Sequence, residues 1–273
     1  MTHLLFTRFP RKAGSFVHEL QELLPGTTVA CAPILEAVAV TPEDWDATAF
    51  SLIRGEYSWV TFTSVNGVLA FDALAAELGQ STVELLGAAQ VAAVGTATGK
   101  ALEVLGVLVD FVPEEQSAAG MVAEWPLDEE WEDPTEVTVL LVQGLTASPT
   151  LEAGLTDYGY TALTLGVYDM QTYPAQQPLV ERTEEDAAAL DLDAARDALA
   201  SADVLVATSP LILSTLAEGY SGQLPPTVTI GAATEAAARE MPTSVRPVKI
   251  SAATTPAPAD LAAAVADLLD SSE

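Results

Sequence analysis

The sequence predicts a parallel α/β chain built on two sheets, and three observations carry that expectation. First, ten short, β-rich apolar runs punctuate the 273 residues, at 3–7, 27–32, 59–63, 91–94, 107–112, 137–142, 162–167, 204–207, 227–230 and 245–250. Most are continuous and bounded by turn residues, as strands buried on both faces are. Second, Ala- and Leu-rich helical stretches lie between them, at 67–78, 98–105, 149–158, 193–200, 211–218 and 234–239. Alternation of this kind builds a parallel sheet with helices on both faces. Third, one order of motifs occurs twice. Residues 59–64 echo 204–209, and each run precedes a strand that ends in Gly-x-x-Thr, at Gly95–Thr98 and at Gly231–Thr234. Ten strands exceed the usual five-stranded doubly wound sheet, so two such domains fit better.

Composition narrows the partners. Hydrophobic residues are 49% of the chain, enough for a core in each domain. No apolar run reaches the roughly 18–20 residues of a membrane span. Residues 1–8 alternate like a strand and show neither the basic segment nor the cleavage site of a signal peptide. Cys31 is the single cysteine, which excludes an intrachain disulfide and fits a cytoplasmic location. Acidic residues outnumber basic ones 39 to 10, for a net charge of −29, and Lys12, Lys100 and Lys249 are the only lysines. Such a surface repels nucleic acid and anionic membranes, so neither is an expected partner. The acids are spread over helices and two loops, which reads as a solubility or salt adaptation rather than a site for a cationic partner. Residues 124–136, with an acidic run at 128–133, read as loop; residues 173–193 read as an exposed insertion or linker.

Familiar catalytic sets are missing. His3 lies in the first strand and His18 in a surface helix, which argues against a metal site or a histidine triad. Cys31 ends an apolar strand with nothing basic beside it and reads as a structural thiol. The segment from Gly95 through Gly99, Lys100 and Ala101 is one residue short of a P-loop, and Ala101 stands where a magnesium-holding hydroxyl belongs. No Gly-x-Gly-x-x-Gly follows a strand, so no dinucleotide site, other cofactor or metal is expected.

What remains is a repeated design in which small polar residues at strand ends each open a helix: Thr63-Ser64, Asn66-Gly67, Gly95 with Thr98, Gly144 with Thr146, Thr208-Ser209, and Gly231 with Thr234. Each alone is an ordinary helix cap. Helix N-termini also hold anions, glycine admits a ligand to the backbone, and in parallel sheets these loops share one edge. Two such edges facing each other would line a cleft with neutral donors, suited to a ligand with many carboxylates.

These motifs resemble the uroporphyrinogen-III synthase family, in order over nearly the whole chain. Leu4-Leu5-Phe6-Thr7-Arg8 is similar to the family's opening strand, and Phe62-Thr63-Ser64-Val65-Asn66-Gly67-Val68 to its Thr-Ser-x-Asn-Gly block. Val94-Gly95 with Thr98 and Ile230-Gly231 with Thr234 resemble its paired turns, Thr208-Ser209-Pro210 its second Ser-Pro turn, and Thr255-Pro256 its C-terminal signature. The resemblance implies two flavodoxin-like parallel-sheet domains joined by a two-stranded linker, residues 1–34 plus 174–273 forming a discontinuous first domain and 35–173 an inserted second. It implies a cofactor-free lyase that closes the linear tetrapyrrole hydroxymethylbilane, a small molecule with eight carboxylates, while inverting the last pyrrole and losing water. A monomer receiving substrate from hydroxymethylbilane synthase is expected, with Arg8, Ser64, Asn66, Gly95, Thr98, Gly144, Ser209, Gly231 and Thr234 as substrate contacts.

At the returning linker Met170 occupies the family's usual tyrosine position. Three candidates for the catalytic acid stay open: Tyr168, two residues earlier on the same strand face and able to substitute after a local shift, Tyr173, and a bound water. Gln143 stands before Gly144 where the family often has Arg. Two rival readings share the pattern: a non-catalytic synthase-like protein and a two-lobed receptor for a small anion.

Overall fold

The structure, a computed structural model, describes residues 2–126 and 133–270, so all but Asp133 of the acidic run at 128–133 lies outside the described residues. Along the chain come β1 (His3–Phe6), α1 (Gly14–Leu23), β2 (Thr28–Cys31), β3 (Leu35–Ala39), α2 (Trp45–Ile53), β4 (Trp59–Phe62), α3 (Val65–Glu77), α4 (Thr82–Leu86), β5 (Gln90–Ala93) and α5 (Thr96–Val104). There follow α6 (Ala118–Ala123), β6 (Thr138–Gly144), α7 (Thr150–Asp157), β7 (Thr161–Thr172), α8 (Leu192–Leu199), β8 (Val204–Ala207), α9 (Pro210–Ala217), β9 (Thr227–Thr229), α10 (Ala232–Glu240), β10 (Ile250–Ala252) and α11 (Pro258–Asp270). The chain divides into two compact units. One comprises Met1–Glu36, Gln171–Gln176 and Val180–Glu273; the other comprises Ala37–Met170 and Gln177–Leu179.

Each unit carries a five-stranded sheet. The first has the order β10-β9-β8-β1-β2 with every neighbouring pair parallel. The second has the order β3-β7-β6-β4-β5, its last four strands paired in parallel. The two-sheet parallel α/β class expected from the alternation is the class observed. Continuous apolar strands follow from burial on both faces. In β4, Val60 and Phe62 pack with Phe71 and Leu74 of α3, while Trp59 packs with Trp125 on the opposite face beside Val139 and Leu141 of β6. In the first unit Leu4, Phe6, Val204 and Val206 meet Phe16 and Leu20 of α1 and Val265 of α11. Such fully buried side chains each contribute about 1.5–3 kcal/mol relative to exposure.

Two strand expectations are corrected, and one strand was not foreseen. Residues 107–112 add no strand among the described residues, only a single bridge of Phe111 to Ala92, because Asp110 turns its carboxylate to accept the Val91 N–H at 2.8 Å. The run at 245–250 yields a strand only at Ile250–Ala252, since Pro247 supplies no ladder donor. Conversely, β3 escaped notice because Glu36 interrupts its apolar pattern, yet Glu36 is only 5% exposed.

Glu36 is a buried carboxylate in the first unit, paired with the partly exposed Arg182. Arg182 grips it with two N–H groups, Nε at 3.0 Å and Nη2 at 2.5 Å, and the Ala175 N–H donates to it at 2.8 Å. A second pair, Arg11 with the fully buried Asp186, lies in the same unit, and the Thr183 N–H also donates to Asp186 at 3.0 Å. The Tyr173 hydroxyl donates to the Asp186 carbonyl at 3.2 Å, and its ring meets Phe9 edge-on. Residues 173–193 are largely exposed, as expected of an insertion or linker, and are anchored by the buried Tyr173, Ala175 and Asp186. Nearby, Ile34 sits at φ 65°, a left-handed conformation that costs a β-branched residue about 1–3 kcal/mol. Complete burial and the Tyr173 N–H, donating to its carbonyl at 2.8 Å, hold it there.

Candidate functional site

Parallel register fixes which strand ends stand side by side. In the first sheet Phe6 aligns with Val206, and Ala207 with Thr229, so Thr7-Arg8, Thr208-Ser209 and Ile230-Gly231 emerge adjacent at the carboxyl edge. The chain leaves β1 for β2 on one side and reaches β8 on the other, so β1 and β8 flank the point where ligands of open parallel sheets bind. Hydroxyls stitch that point shut at the backbone. Thr7 donates to the Val206 carbonyl at 3.1 Å, and the Thr208 hydroxyl donates to the Thr7 carbonyl at 2.9 Å.

Above this seam lies a cavity of about 250 Å³, lined among others by Arg8, Lys12, Thr7, Thr208, Leu35 and Ile212. Partial burial lowers the pKa of the Arg8 guanidinium. Lys12 is lowered as well, first by partial burial and then by the charges of Arg11 and Arg8. Ser209 caps α9, its oxygen accepting the Ile212 N–H at 3.1 Å, which leaves its proton to donate. Gly231 opens α10 without a side-chain cap, and a Cβ there would meet nothing within 4 Å. The first amides of α10 thus face an open approach.

The second edge is organised by Tyr168. Phe62 aligns with both Ala93 and Val142, so Ser64, Gly95 and Gly144 stand at neighbouring strand ends. Between β6 and β7 the register slips: Gln143 pairs with Gly166 but Gly144 with Tyr168. This bulge turns Tyr168 over Gly144, as bulges re-aim side chains at strand ends. A Cβ on Gly144 would stand 2.8 Å from the ring's Cζ, so only glycine admits the ring. Ser64 both caps α3, accepting the Gly67 N–H at 3.1 Å, and donates to the Tyr168 hydroxyl at 3.0 Å. The phenol oxygen is thereby an acceptor, and its own proton remains for a ligand. Asn66 follows within the first turn of α3 and is half-buried.

Not every expected contact faces outward. Gly95 opens α5, but the Gln116 side chain already accepts the Thr96 N–H at 3.0 Å and occupies the space before the glycine. Thr98 and Thr234 are 5% and 2% exposed and turn toward the protein interior. Tyr173 is 8% exposed with its hydroxyl already donating to a carbonyl, which leaves Tyr168 as the better-placed phenol. Sequence reasoning missed Lys12 and Gln116. For Lys12 a signal existed: Arg8, Arg11 and Lys12 place three of the chain's ten cations within five residues. Burial raises the pKa of the Cys31 thiol, which suits a structural role. Among the described residues no group of three or more His, Cys, Asp or Glu could hold a metal ion, and no helix is long and apolar enough to cross a membrane.

Fold and edges together define a protein of two α/β units, each with a parallel sheet whose carboxyl edge carries small polar turns. The uroporphyrinogen-III synthase HemD profile matches residues 18–256, and the chain belongs to that family. It is 28% identical over 172 residues to the uroporphyrinogen-III synthase of Chlorobaculum parvum, covering 62% of this chain and 64% of that one. It is 33% identical over 114 residues to the porphyrin biosynthesis protein HemD of Ruminiclostridium josui, covering 41% of this chain and 22% of that protein. The match thus spans less than two thirds of either curated relative. In fold the chain is similar to a crystal structure of a mutant uroporphyrinogen III synthase from the extremely thermophilic bacterium Thermus thermophilus, with a TM-score of 0.63 at 18% identity over 99% of this chain and 100% of the other. The uroporphyrinogen-III synthetase of Helicobacter pylori gives a TM-score of 0.56 at 15% identity over 98% and 100%.

Proposed function

We propose that this chain cyclises hydroxymethylbilane to uroporphyrinogen III, a hydro-lyase reaction of tetrapyrrole synthesis. The observation that carries the reading is Tyr168, re-aimed by the β6–β7 bulge, oriented by Ser64 and left with a proton to give. In this reading Tyr168 protonates the departing hydroxyl of the bilane. The C–O bond breaks, water leaves, and an azafulvene cation forms. The substituted carbon of the last pyrrole attacks that cation to give a spiro intermediate. Fragmentation on the other side of the spiro carbon and reclosure at the free carbon invert the ring. The proton lost as the pyrrole regains aromaticity returns to the phenolate, so only water is released. Substrate and product have the same oxidation state, so the scheme requires no redox partner.

The remaining contribution is positioning, because the free bilane closes to the symmetric isomer unaided. Arg8, Asn66, Ser209 and Gly231 serve as donors to substrate carboxylates, Ser64 acts on the substrate through the Tyr168 phenol it orients, and Thr98, Thr234 and Gly95 shape the turns that present them. The folding domains under this reading are 1–34 plus 174–273 and 35–173. The protein acts in the cytoplasm as a monomer, its acidic surface opposing self-association, and takes substrate from hydroxymethylbilane synthase.

The test supplies hydroxymethylbilane generated in place by its synthase and separates the oxidised products by isomer. Predominant isomer III that depends on this protein supports the reading. Isomer I alone, from a folded protein at low and high salt, refutes it.

A further inference from the structure

We infer that Arg8 and Lys12 form a clamp for one carboxylate-bearing arm of the substrate, which makes Lys12 a substrate-binding residue; the inference rests on the tetrapyrrole reading above. The chain has ten Lys and Arg residues against 39 acids. Most of the ten are spent on the protein itself: Arg11, Arg54, Arg182 and Arg239 on carboxylates, Arg196, Arg246 and Lys249 on backbone carbonyls. Of the ten, only Arg8, Lys12 and Lys100 make no side-chain ion pair or hydrogen bond among the described residues. Two of these three line one cavity of about 250 Å³ at the β1–β8 seam.

Leaving two like charges together and partly buried is unfavourable in the free protein. Both groups are pulled below their ordinary pKa, and Arg8 is among the causes for Lys12. A carboxylate between them relieves that repulsion and gains charge-assisted hydrogen bonds. No acidic residue lines the cavity, and the neighbouring cation Arg11 is already paired with Asp186. Size and lining define the ligand further. The cavity holds an arm, not a macrocycle, and Leu35 and Ile212 offer an apolar wall for its methylenes. The Thr7 and Thr208 hydroxyls are engaged with backbone carbonyls, so the cations supply the recognition. An acetate- or propionate-type arm matches this lining, and free phosphate, lacking methylenes, matches it poorly.

The experiment titrates full-length wild type, Lys12→Gln, Arg8→Gln and Lys100→Gln with uroporphyrin III, followed by porphyrin fluorescence, with and without inorganic phosphate. The expected result is a Kd raised about tenfold by Lys12→Gln and by Arg8→Gln, unchanged by Lys100→Gln, and insensitive to phosphate beyond its ionic strength. Wild-type affinity in Lys12→Gln, or displacement of uroporphyrin by phosphate at matched ionic strength, overturns the clamp. If wild type binds no uroporphyrin and makes no isomer III, the tetrapyrrole reading fails instead. The clamp is then judged with tricarballylate, by NMR of isotope-labelled lysine side chains, of which the chain has only three. Movement of the Lys12 signal without that of Lys100 upholds a carboxylate clamp, and a stationary Lys12 signal removes it.

Discussion

The Tyr168 hydroxyl accepts a hydrogen bond from the Ser64 side chain at 3.0 Å, across a separation of 104 residues. One serine, two residues past β4, thus caps α3 and orients the phenol, so helix start and proposed acid share a single fixed point. Replacing Tyr168 by Phe keeps the ring over Gly144 and removes only the oxygen. The expected outcome is a fall in kcat for isomer III of about 100-fold with KM changed less than threefold, as for loss of a general acid. Steady-state kinetics of isomer III formation check this. Tyr173→Phe, which removes a buried donor to the Asp186 carbonyl, should keep kcat and lower stability by about 1 kcal/mol.

Gly144→Ala tests the seat of that ring. The added methyl would stand 2.8 Å from Tyr168 Cζ and must displace it. The expected result is a kcat as low as that of Tyr168→Phe, with the double variant no worse than either single one. Additive losses would show that Gly144 acts through something other than the tyrosine.

The Glu36–Arg182 pair makes a stability prediction. Arg182→Ala leaves a carboxylate that is 3% exposed with only the Ala175 N–H and should cost about 3 kcal/mol in urea unfolding. Glu36→Gln with Arg182→Gln, which removes both charges, should recover part of that loss. A single variant of unchanged stability would place the pair outside the folding energetics.

Cys31 offers a chemical readout. Burial raises its pKa, so at pH 8.5 the folded chain holds less thiolate than the unfolded one. Iodoacetamide should label it in native protein at least about fivefold more slowly than in urea. Equal rates would mean that the β2 end opens readily.

The class of fold lay open in the sequence because burial on both faces leaves a continuous apolar signature in β4, β6 and β8, and small polar residues mark where each helix begins. Ser64, Ser209, Gly95 and Gly231 were legible for that reason, being caps imposed by local backbone geometry. What the side chains beyond those caps do was decided only by tertiary contacts. Gln116 filling the start of α5 comes from 20 residues away, and Thr98 turning inward depends on what packs over it. Nothing local marked Glu36 as a structural residue, because its partner Arg182 lies 146 residues later. Tyr168 reached its place through a one-residue slip between β6 and β7, a feature of register between strands that no local pattern encodes. Local chemistry thus specified the two sheets and the helix starts, because turns, caps and apolar runs act over a few residues. Long-range packing alone determined which phenol, which cations and which carboxylates meet, because those pairings join residues far apart in the chain.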